Sequence, residues 1–307
     1  MTAREINPRD SEWPLTLREL GPEKPPDRLF VEGLPLRWGQ RAVAVVGSRR
    51  PTAAGLQIAE VMAGGLAEAG FAVVSGLAMG IDAAAHRAAL EAGGYTAAVL
   101  GCGLDVDYPA RNARLKRRIA VAGTLVTEYE DGVAPQPFHF PARNRIIAGL
   151  CSALVFVEGS LRSGGLITSR QALDANRHVF AVPGSVRNPL AAGPNELIRT
   201  AQATLVTDPQ QVIEELAPGL VWGGDPDQGP VVGEPLVNDD EGRILMYLDD
   251  VPVPLDRVCM DLDLVCGQAG MSLAALEVRN FVSRRPGGYA VTEAGARVRA
   301  RLPVGKD

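Results

Sequence analysis

Six short, largely apolar runs recur along the first two thirds of the chain, and a glycine follows five of them within two residues. They lie at 42–46, 71–74, 96–100, 124–127, 153–157 and 178–182. Apolar runs bounded by turn residues are typical of strands that helices bury on both faces. The pattern therefore predicts a parallel sheet.

The segments between these runs have the periodicity of helices. Alanine-rich stretches at 55–69 and 82–92 predict two of them, and 209–216 predicts a last one. Strands that alternate with helices indicate the α/β class and a doubly wound, mostly parallel sheet. Such sheets bind ligands outside the carboxyl ends of their strands, where glycine lets backbone amides approach an anion.

The two ends of the chain have a different character. Residues 1–40 are rich in proline and predict an N-terminal arm, with one helical turn near 15–20, packed on a core domain at 41–218. Residues 219–235 hold five glycines and three prolines, so 219–238 is predicted to be a linker.

The last segment, 239–307, predicts a small second domain. Helices are expected at 242–248, 255–262 and 272–281, before two strands that a Pro-Gly-Gly turn joins at 286–288. Three helices followed by a hairpin are typical of a winged helix.

Charge changes this picture only when it is divided by segment. The 307-residue chain has 31 Lys and Arg, 36 Asp and Glu and a net charge of −5, which argues against nucleic acid as a partner. Residues 41–199, however, carry 16 basic and 12 acidic residues, whereas 200–307 carry 9 basic and 17 acidic ones. The core can therefore meet a polyanion, and the acidic tail is expected to meet a partner other than DNA.

Composition excludes several other classes of protein. With 46% hydrophobic and 22% charged residues, the chain is typical of a folded globular protein. Four cysteines without CxxC spacing and three histidines without a HExxH cluster predict no metal site. The chain has no apolar run long enough for a membrane helix and no secretory signal, so a cytoplasmic location is expected.

Two glycine-containing segments follow predicted strands and open predicted helices. In the first, 47–51, Gly47 and Ser48 present amides at a helix N-terminus beside Arg49 and Arg50, which favours phosphate binding over a turn with solvated arginines. In the second, 159–168, Arg162 favours an anion site over a simple tight turn.

Aromatic and basic residues alternate in 137–145, where Phe138 and Phe140 precede Arg143 and Arg145. Such a pattern suits single-stranded nucleic acid, because rings stack bases and guanidinium groups hold phosphates. The alternative is that the rings lie in the core and the arginines on the surface. The basic run 111–118 is either a solvated helix face or the rim of a nucleic-acid groove.

The segment 75–82 resembles a nucleotide-binding loop only superficially. Gly76 and Gly80 lack the spacing of the dinucleotide fingerprint, and the chain has no Walker lysine, so no cofactor is predicted. Asp82 is expected to cap the helix that follows.

Six motifs in one order make the chain resemble the DNA-processing protein A family (DprA, also called Smf). They are VAVVGSRRPTAAG, VVSGLAMGIDAAAH, VLGCGLDVDYPARN, FPARNRIIAGL, SLRSGGLITSRQAL and VFAVPG. The resemblance covers about residues 14–216 and implies an extended Rossmann-like domain, often with a winged-helix tail. It also implies single-stranded DNA binding, protection of incoming DNA, dimerisation through the core, loading of the RecA recombinase in natural transformation, and no established catalytic activity.

These motifs together predict the site. The residues predicted to contact DNA are Gly47, Ser48, Arg49, Arg50, Phe140, Arg143, Asn144, Arg145, Arg162, Ser163, Gly164, Gly165 and Thr168, with a basic rim of Arg114, Lys116, Arg117 and Arg118. By the resemblance, Phe140 matches a base-stacking position, and Arg143 and Arg145 are expected to face the groove. Ser169 stands where the family commonly has alanine.

Two alternatives stay open. The tail could contact DNA only through Arg279, Arg284 and Arg285, and contact with a protein is at least as well supported. The chain could also be an enzyme that processes a nucleotide, such as a phosphoribohydrolase. That reaction would need an acid near Gly164, and the candidates are Glu158, Asp82 and Glu128.

Overall fold

The strands and helices of this chain belong to two units, Met1–Val231 and Val232–Asp307, in a computed structural model. The structure describes residues 3–18, 20, 22–36, 42–218, 239–249, 251–279, 281–292, 295, 296 and 299. The predicted linker at 219–238 lies outside these residues, and the predicted domain boundaries stay a prediction.

One nine-stranded sheet carries the larger unit. Its strands are β1 (Arg4–Ile6), β2 (Leu29–Gly33), β3 (Ala42–Val46), β4 (Ala72–Ser75), β5 (Thr96–Leu100), β6 (Thr124–Thr127), β7 (Ala153–Phe156), β8 (His178–Ala181) and β9 (Thr204–Leu205). Their spatial order is β1-β2-β6-β5-β4-β3-β7-β8-β9. The β1–β2 and β2–β6 pairs are antiparallel, and the other pairs are parallel. The predicted doubly wound, mostly parallel α/β sheet is confirmed.

Helices cover this sheet. They are α1 (Ala53–Glu68), α2 (Ile81–Glu91), α3 (Ala113–Ala122), α4 (His139–Leu150), α5 (Gly164–Asp174), α6 (Ala192–Arg199) and α7 (Pro209–Leu216). Successive side chains of β3 point to opposite faces, so Ala44 and Val46 join one hydrophobic cluster and Val43 and Val45 join another. Both faces of β3 are therefore buried, which explains its uninterrupted apolar sequence.

The N-terminal segment does more than pack on the core. The predicted helical turn is a 3-10 turn at Leu15–Arg18, and the Leu17 side chain lies close to Gly149 of α4. The segment also supplies β1 and β2, which the sequence reasoning missed. β2 alternates buried and half-buried residues, and this period-two pattern was concealed by the prolines around it.

The smaller unit contains α8 (Asp239–Tyr247), α9 (Leu255–Leu262), α10 (Cys266–Val278), β10 (Val282–Arg285) and β11 (Gly288–Val291). The two strands form an antiparallel hairpin, so the predicted winged helix is confirmed. The third helix begins at Cys266, six residues before the predicted start at 272. Among the described residues no single helix is long and apolar enough to cross a membrane; α9 and α10 pass that test only together, across a bend of 116°.

Candidate nucleic-acid interface

The loops that follow β3 and β7 meet where the strand order of the sheet reverses. They border a cavity of about 600 Å³ at the carboxyl ends of the strands, which is where doubly wound sheets bind ligands. The lining residues are Val46, Gly47, Ser48, Arg49, Ala78, Asp82, Tyr108, Pro137, Phe140, Pro141, Arg143, Asn144, Ile147, Ser160, Ser163, Gly164, Gly165, Ile167, Thr168 and Leu190. Three motifs that are far apart in the sequence therefore share one cavity.

Arg49 supplies positive charge to this cavity. Its guanidinium carbon lies 5.0 Å from the centroid of the Phe140 ring, a cation–π distance. Within the described part of the chain, Arg49 forms no ion pair, so its charge is available to an anion. A side chain on Gly47 would lie within 2.7 Å of Ile81 and 2.9 Å of the Glu158 carbonyl oxygen, which explains why only glycine fits there.

The N-terminus of α5 also lines the cavity. Ser163 caps the helix, and its Oγ accepts a hydrogen bond from the Leu166 amide at 3.3 Å. Nothing lies within 4 Å of the place where a Gly164 side chain would stand, whereas one on Gly165 would collide with Phe156. Gly164 thus leaves the helix N-terminus open to an anion, and Gly165 serves packing.

Arg143 and Asp82 form the floor of the cavity. Arg143 is only 4% exposed, and its Nη1 donates to the carbonyl oxygens of Gly76, at 2.7 Å, and of Val99. The Asp82 carboxylate accepts from the amides of Gly76 and Ala78, at 3.2 and 3.4 Å. These contacts hold the loop after β4 in place. The prediction that Asp82 caps α2 is wrong, because Gly80 occupies the N-cap position.

Burial shifts the pKa values of both Arg143 and Asp82. It lowers the pKa of Arg143 to about 10, and the interaction with Asp82 opposes this decrease. The guanidinium therefore stays charged at neutral pH. Burial raises the pKa of Asp82, and the Arg143 charge acts against that rise. Asn144, only 8% exposed, accepts from Arg143 Nε at 3.2 Å and completes the group.

Three of the predicted DNA-contacting arginines do not line the cavity. Arg50 and Arg162 are exposed, and each is adjacent in sequence to a residue that lines the cavity. Arg145 donates to both carboxylate oxygens of Glu128, at 2.6 and 2.9 Å, so its charge is paired. DNA contact by Arg145 and by the other predicted residues stays a prediction.

The predicted basic rim divides into two kinds of residue. Arg114, Arg117 and Arg118 line a separate, shallow depression on α3. Lys116 is 6% exposed, and its Nζ donates to the Val106 carbonyl at 2.7 Å and lies 3.4 Å from Asp107. Lys116 is therefore a buried structural residue, because it lies on the face of α3 that packs against the preceding loop.

Two polar lining residues escaped the sequence reasoning as binding residues: Tyr108 and Ser160. Both lie in quoted motifs, in the loops that follow β5 and β7, so their position in loops at the carboxyl ends of strands was the available signal. No group of three or more His, Cys, Asp or Glu suited to a metal ion occurs among the described residues.

The candidate acids of the enzyme hypothesis are held by other groups. The Glu158 carboxylate accepts from the backbone amide of Thr52 at 2.9 Å and from its hydroxyl at 2.7 Å. It also accepts from the side-chain amide of Asn188, through Nδ2, at 3.1 Å. It fixes the start of α1 and does not line the cavity. Glu128 is paired with Arg145, and Asp82 is bound to loop amides.

A doubly wound α/β unit with an arginine-lined cavity at its switch point, together with a winged helix, defines a Rossmann-like protein of two units. The model of the DNA recombination-mediator protein A family matches residues 4–217, and that of the DprA winged helix domain matches 230–288. The chain belongs to the DNA recombination-mediator protein A family, and the resemblance found in the sequence is confirmed.

Individual relatives support this assignment. The chain is 36% identical over 282 residues to Protein Smf of Escherichia coli, which covers 89% of this chain and 74% of that protein. It is 50% identical over 173 residues to the DNA processing protein DprA of Streptococcus pneumoniae, across 56% of this chain and 61% of that protein. The second match therefore spans less than two thirds of the relative.

Solved structures agree with the fold. DNA processing protein A from Streptococcus pneumoniae has a TM-score of 0.66 and 43% identity, covering 70% of this chain and 75% of that one. DNA processing protein A from Helicobacter pylori has a TM-score of 0.64 and 29% identity, covering 70% and 96%.

Proposed function

We propose that this chain binds single-stranded DNA in the cavity at the switch point of its sheet. The observation that carries the proposal is that Arg49, with no ion pair among the described residues, lies beside the Phe140 ring in the same cavity lining as the N-terminus of α5. The guanidinium and the helix amides suit phosphates, and the ring suits a base.

Unpaired bases favour a single strand over a duplex as the ligand. A base can reach a ring inside a cavity only when it is not stacked and paired within a double helix. The Helicobacter pylori relative has a single-stranded DNA binding mode. This supports the same class of ligand here.

The test compares two neighbouring arginines. Arg49→Ala should weaken the binding of an oligothymidine roughly 10- to 100-fold, because a hydrogen bond to a charged group contributes about 1.5–3 kcal/mol. The slope of log affinity against log salt should fall in magnitude by about 0.7, as one phosphate contact is lost. Arg50→Ala removes the same charge from outside the cavity lining and should change affinity far less. Equal losses in the two variants would exclude the cavity as the phosphate site.

We also propose that the chain catalyses no reaction on its ligand. The support is that Glu158, Glu128 and Asp82, the candidate acids, are each engaged in structural contacts. Incubation of the pure protein with nucleoside monophosphates should release no free base. Base release that Glu158→Ala abolishes would establish the enzyme instead.

The finer role we propose is protection of incoming single strands and loading of RecA during natural transformation, by a cytoplasmic homodimer formed through the core. Its support is membership of a recombination-mediator family. The protein should accelerate RecA-driven strand exchange, and in sedimentation it should have twice the mass of one chain. The Arg49→Ala variant should have the same sedimentation mass as the native protein but should not accelerate strand exchange. No acceleration by the native protein would contradict this role.

A further inference from the structure

Tyr108 presents the more accessible of the two aromatic rings in the cavity lining. It is 40% exposed, whereas Phe140 is half-buried. The two ring centroids lie 5.5 Å apart with 28° between the ring planes, a stacked arrangement. Because Arg49 lies over the Phe140 ring, the three side chains form one continuous group.

Phe140 has neighbours around much of its ring. Tyr108 and Arg49 contact it, and a Cβ on Gly101 would stand only 3.1 Å from its Cδ1, so the Gly101 backbone also lies close. A base that approached Phe140 would compete with these contacts. The exposed part of Tyr108 is open to a base without any such displacement.

The backbone around Tyr108 is fixed on both sides. Before it, the Val106 carbonyl accepts from the buried Lys116 ammonium at 2.7 Å. After it, Asn112 Nδ2 donates to the carbonyl oxygens of Leu77 and Ala78, at 2.9 and 3.2 Å. A ring held in place before the ligand arrives costs little conformational entropy on binding.

The chain continues from Tyr108 towards positive charge. A 3-10 turn at Ala110–Asn112 leads directly into α3, whose Arg114, Arg117 and Arg118 line the shallow depression described above. Asp107 lies 3.9 Å from Arg117, whereas Arg114 and Arg118 form no ion pair among the described residues and are available to a polyanion that passes over Tyr108.

We propose that Tyr108 stacks a nucleobase of single-stranded DNA at the mouth of the cavity, beside the nucleotide that Arg49 and Phe140 hold. The proposal deepens the proposed function and rests on it. Stacking uses the face of a base and reads none of its edges, so this position accepts any unpaired base.

Leucine substitution tests the ring without changing the charge. In the full chain, Tyr108→Leu should weaken binding of a fluorescein-labelled oligothymidine about tenfold, because base–aromatic stacking is commonly of this size. The salt slope should stay unchanged, since no phosphate contact is lost. Tyr108→Phe keeps the ring and should bind as the native protein does. An exposed control is Leu15→Ala: Leu15 is 69% exposed and does not line the cavity, and its truncation should have no effect.

An abasic scan locates the contact on the DNA. When one abasic site is moved along the oligothymidine, the native protein should lose affinity at a position where Tyr108→Leu loses none. A 5-iododeoxyuridine at that position should photocrosslink to Tyr108 in the native protein, which needs no variant to fold. The proposal is overturned if Tyr108→Leu binds as tightly as the native protein, or if the crosslink maps elsewhere. Failure of the native protein to bind any oligothymidine would instead remove the proposed function itself.

Discussion

Arg143 and Asp82 place opposite charges in the floor of the cavity, and they are only 4% and 7% exposed. Arg143→Met would leave the Asp82 carboxylate buried without its compensating charge and would free the carbonyls of Gly76 and Val99. We expect the free energy of unfolding, measured by urea denaturation, to fall by about 2–5 kcal/mol, because two buried carbonyl oxygens lose their donor and Asp82 loses a nearby positive charge.

Two further variants separate structure from binding. Arg145→Met breaks the part-buried, bidentate pair with Glu128 and should cost about 1–3 kcal/mol. Adding Asp82→Asn to Arg143→Met should recover part of the lost stability, because no uncompensated charge is then buried. An Arg143→Met protein of native stability that no longer binds DNA would show that this arginine contacts phosphate instead.

The same residues show where sequence reasoning stops at this scale. The R-N-R segment brings Arg143 and Asn144 to the cavity, but successive residues of a helix turn by about 100°. Arg143 and Arg145, two apart on α4, therefore point in different directions, one into the cavity floor and the other to Glu128. Residue types alone gave no means of deciding which arginine lies inside.

Among the elements, α2 is fixed to the sheet through a buried histidine. His86 Nδ1 lies 2.7 Å from the Thr96 hydroxyl on β5, which in turn donates to the Val73 carbonyl on β4 at 2.7 Å. Burial lowers the pKa of His86 from 6.5 to about 3, and the charges of Arg143 and Arg87 add to the effect. The folded chain thus keeps His86 neutral under conditions in which the unfolded chain protonates it.

The sign of the resulting pH dependence follows from this depressed pKa. The contribution is fully present above pH 6.5 and is lost as the pH falls towards 3, because only the unfolded state then binds the proton. Relative to His86→Gln, the native chain should lose about 1.4 kcal/mol of unfolding free energy per pH unit below 6.5. The comparison cancels the opposite contribution of Asp82, whose pKa is raised. A difference between the two proteins that does not change from pH 7.5 to 5 would show that His86 is protonated in the fold.

For the whole molecule, the alternation of apolar runs and helices was sufficient to predict the doubly wound sheet, since both faces of its strands are buried. The site was predictable as a place, because loops after β3 and β7 must meet where the strand order reverses. The antiparallel strands β1 and β2 were not predictable, because they are short and lie among prolines, and the pairing of β2 with β6 bridges more than 90 residues of sequence.

The larger unit closes its own hydrophobic core. Its three clusters of buried residues all fall between Ile6 and Ala217, and the winged helix has a separate cluster between Ile244 and Ala296. The cavity lining is likewise confined to Val46–Leu190. We therefore expect a fragment of residues 1–218 to fold and to carry the DNA site by itself.

That fragment should bind oligothymidine within about threefold of the full chain at moderate salt and with the same salt slope, because its phosphate contacts are the same. At low salt it should bind slightly more tightly, since the deleted residues 219–307 carry 14 acidic against 9 basic residues and repel a polyanion. Fluorescence anisotropy at several salt concentrations measures both effects. If the fragment unfolds cooperatively but its affinity for oligothymidine is tenfold or more lower, the winged helix contacts the DNA. Its arginines beside aromatic rings, Arg279 over Phe281 and Arg284 over Tyr289, would then be the residues to replace first.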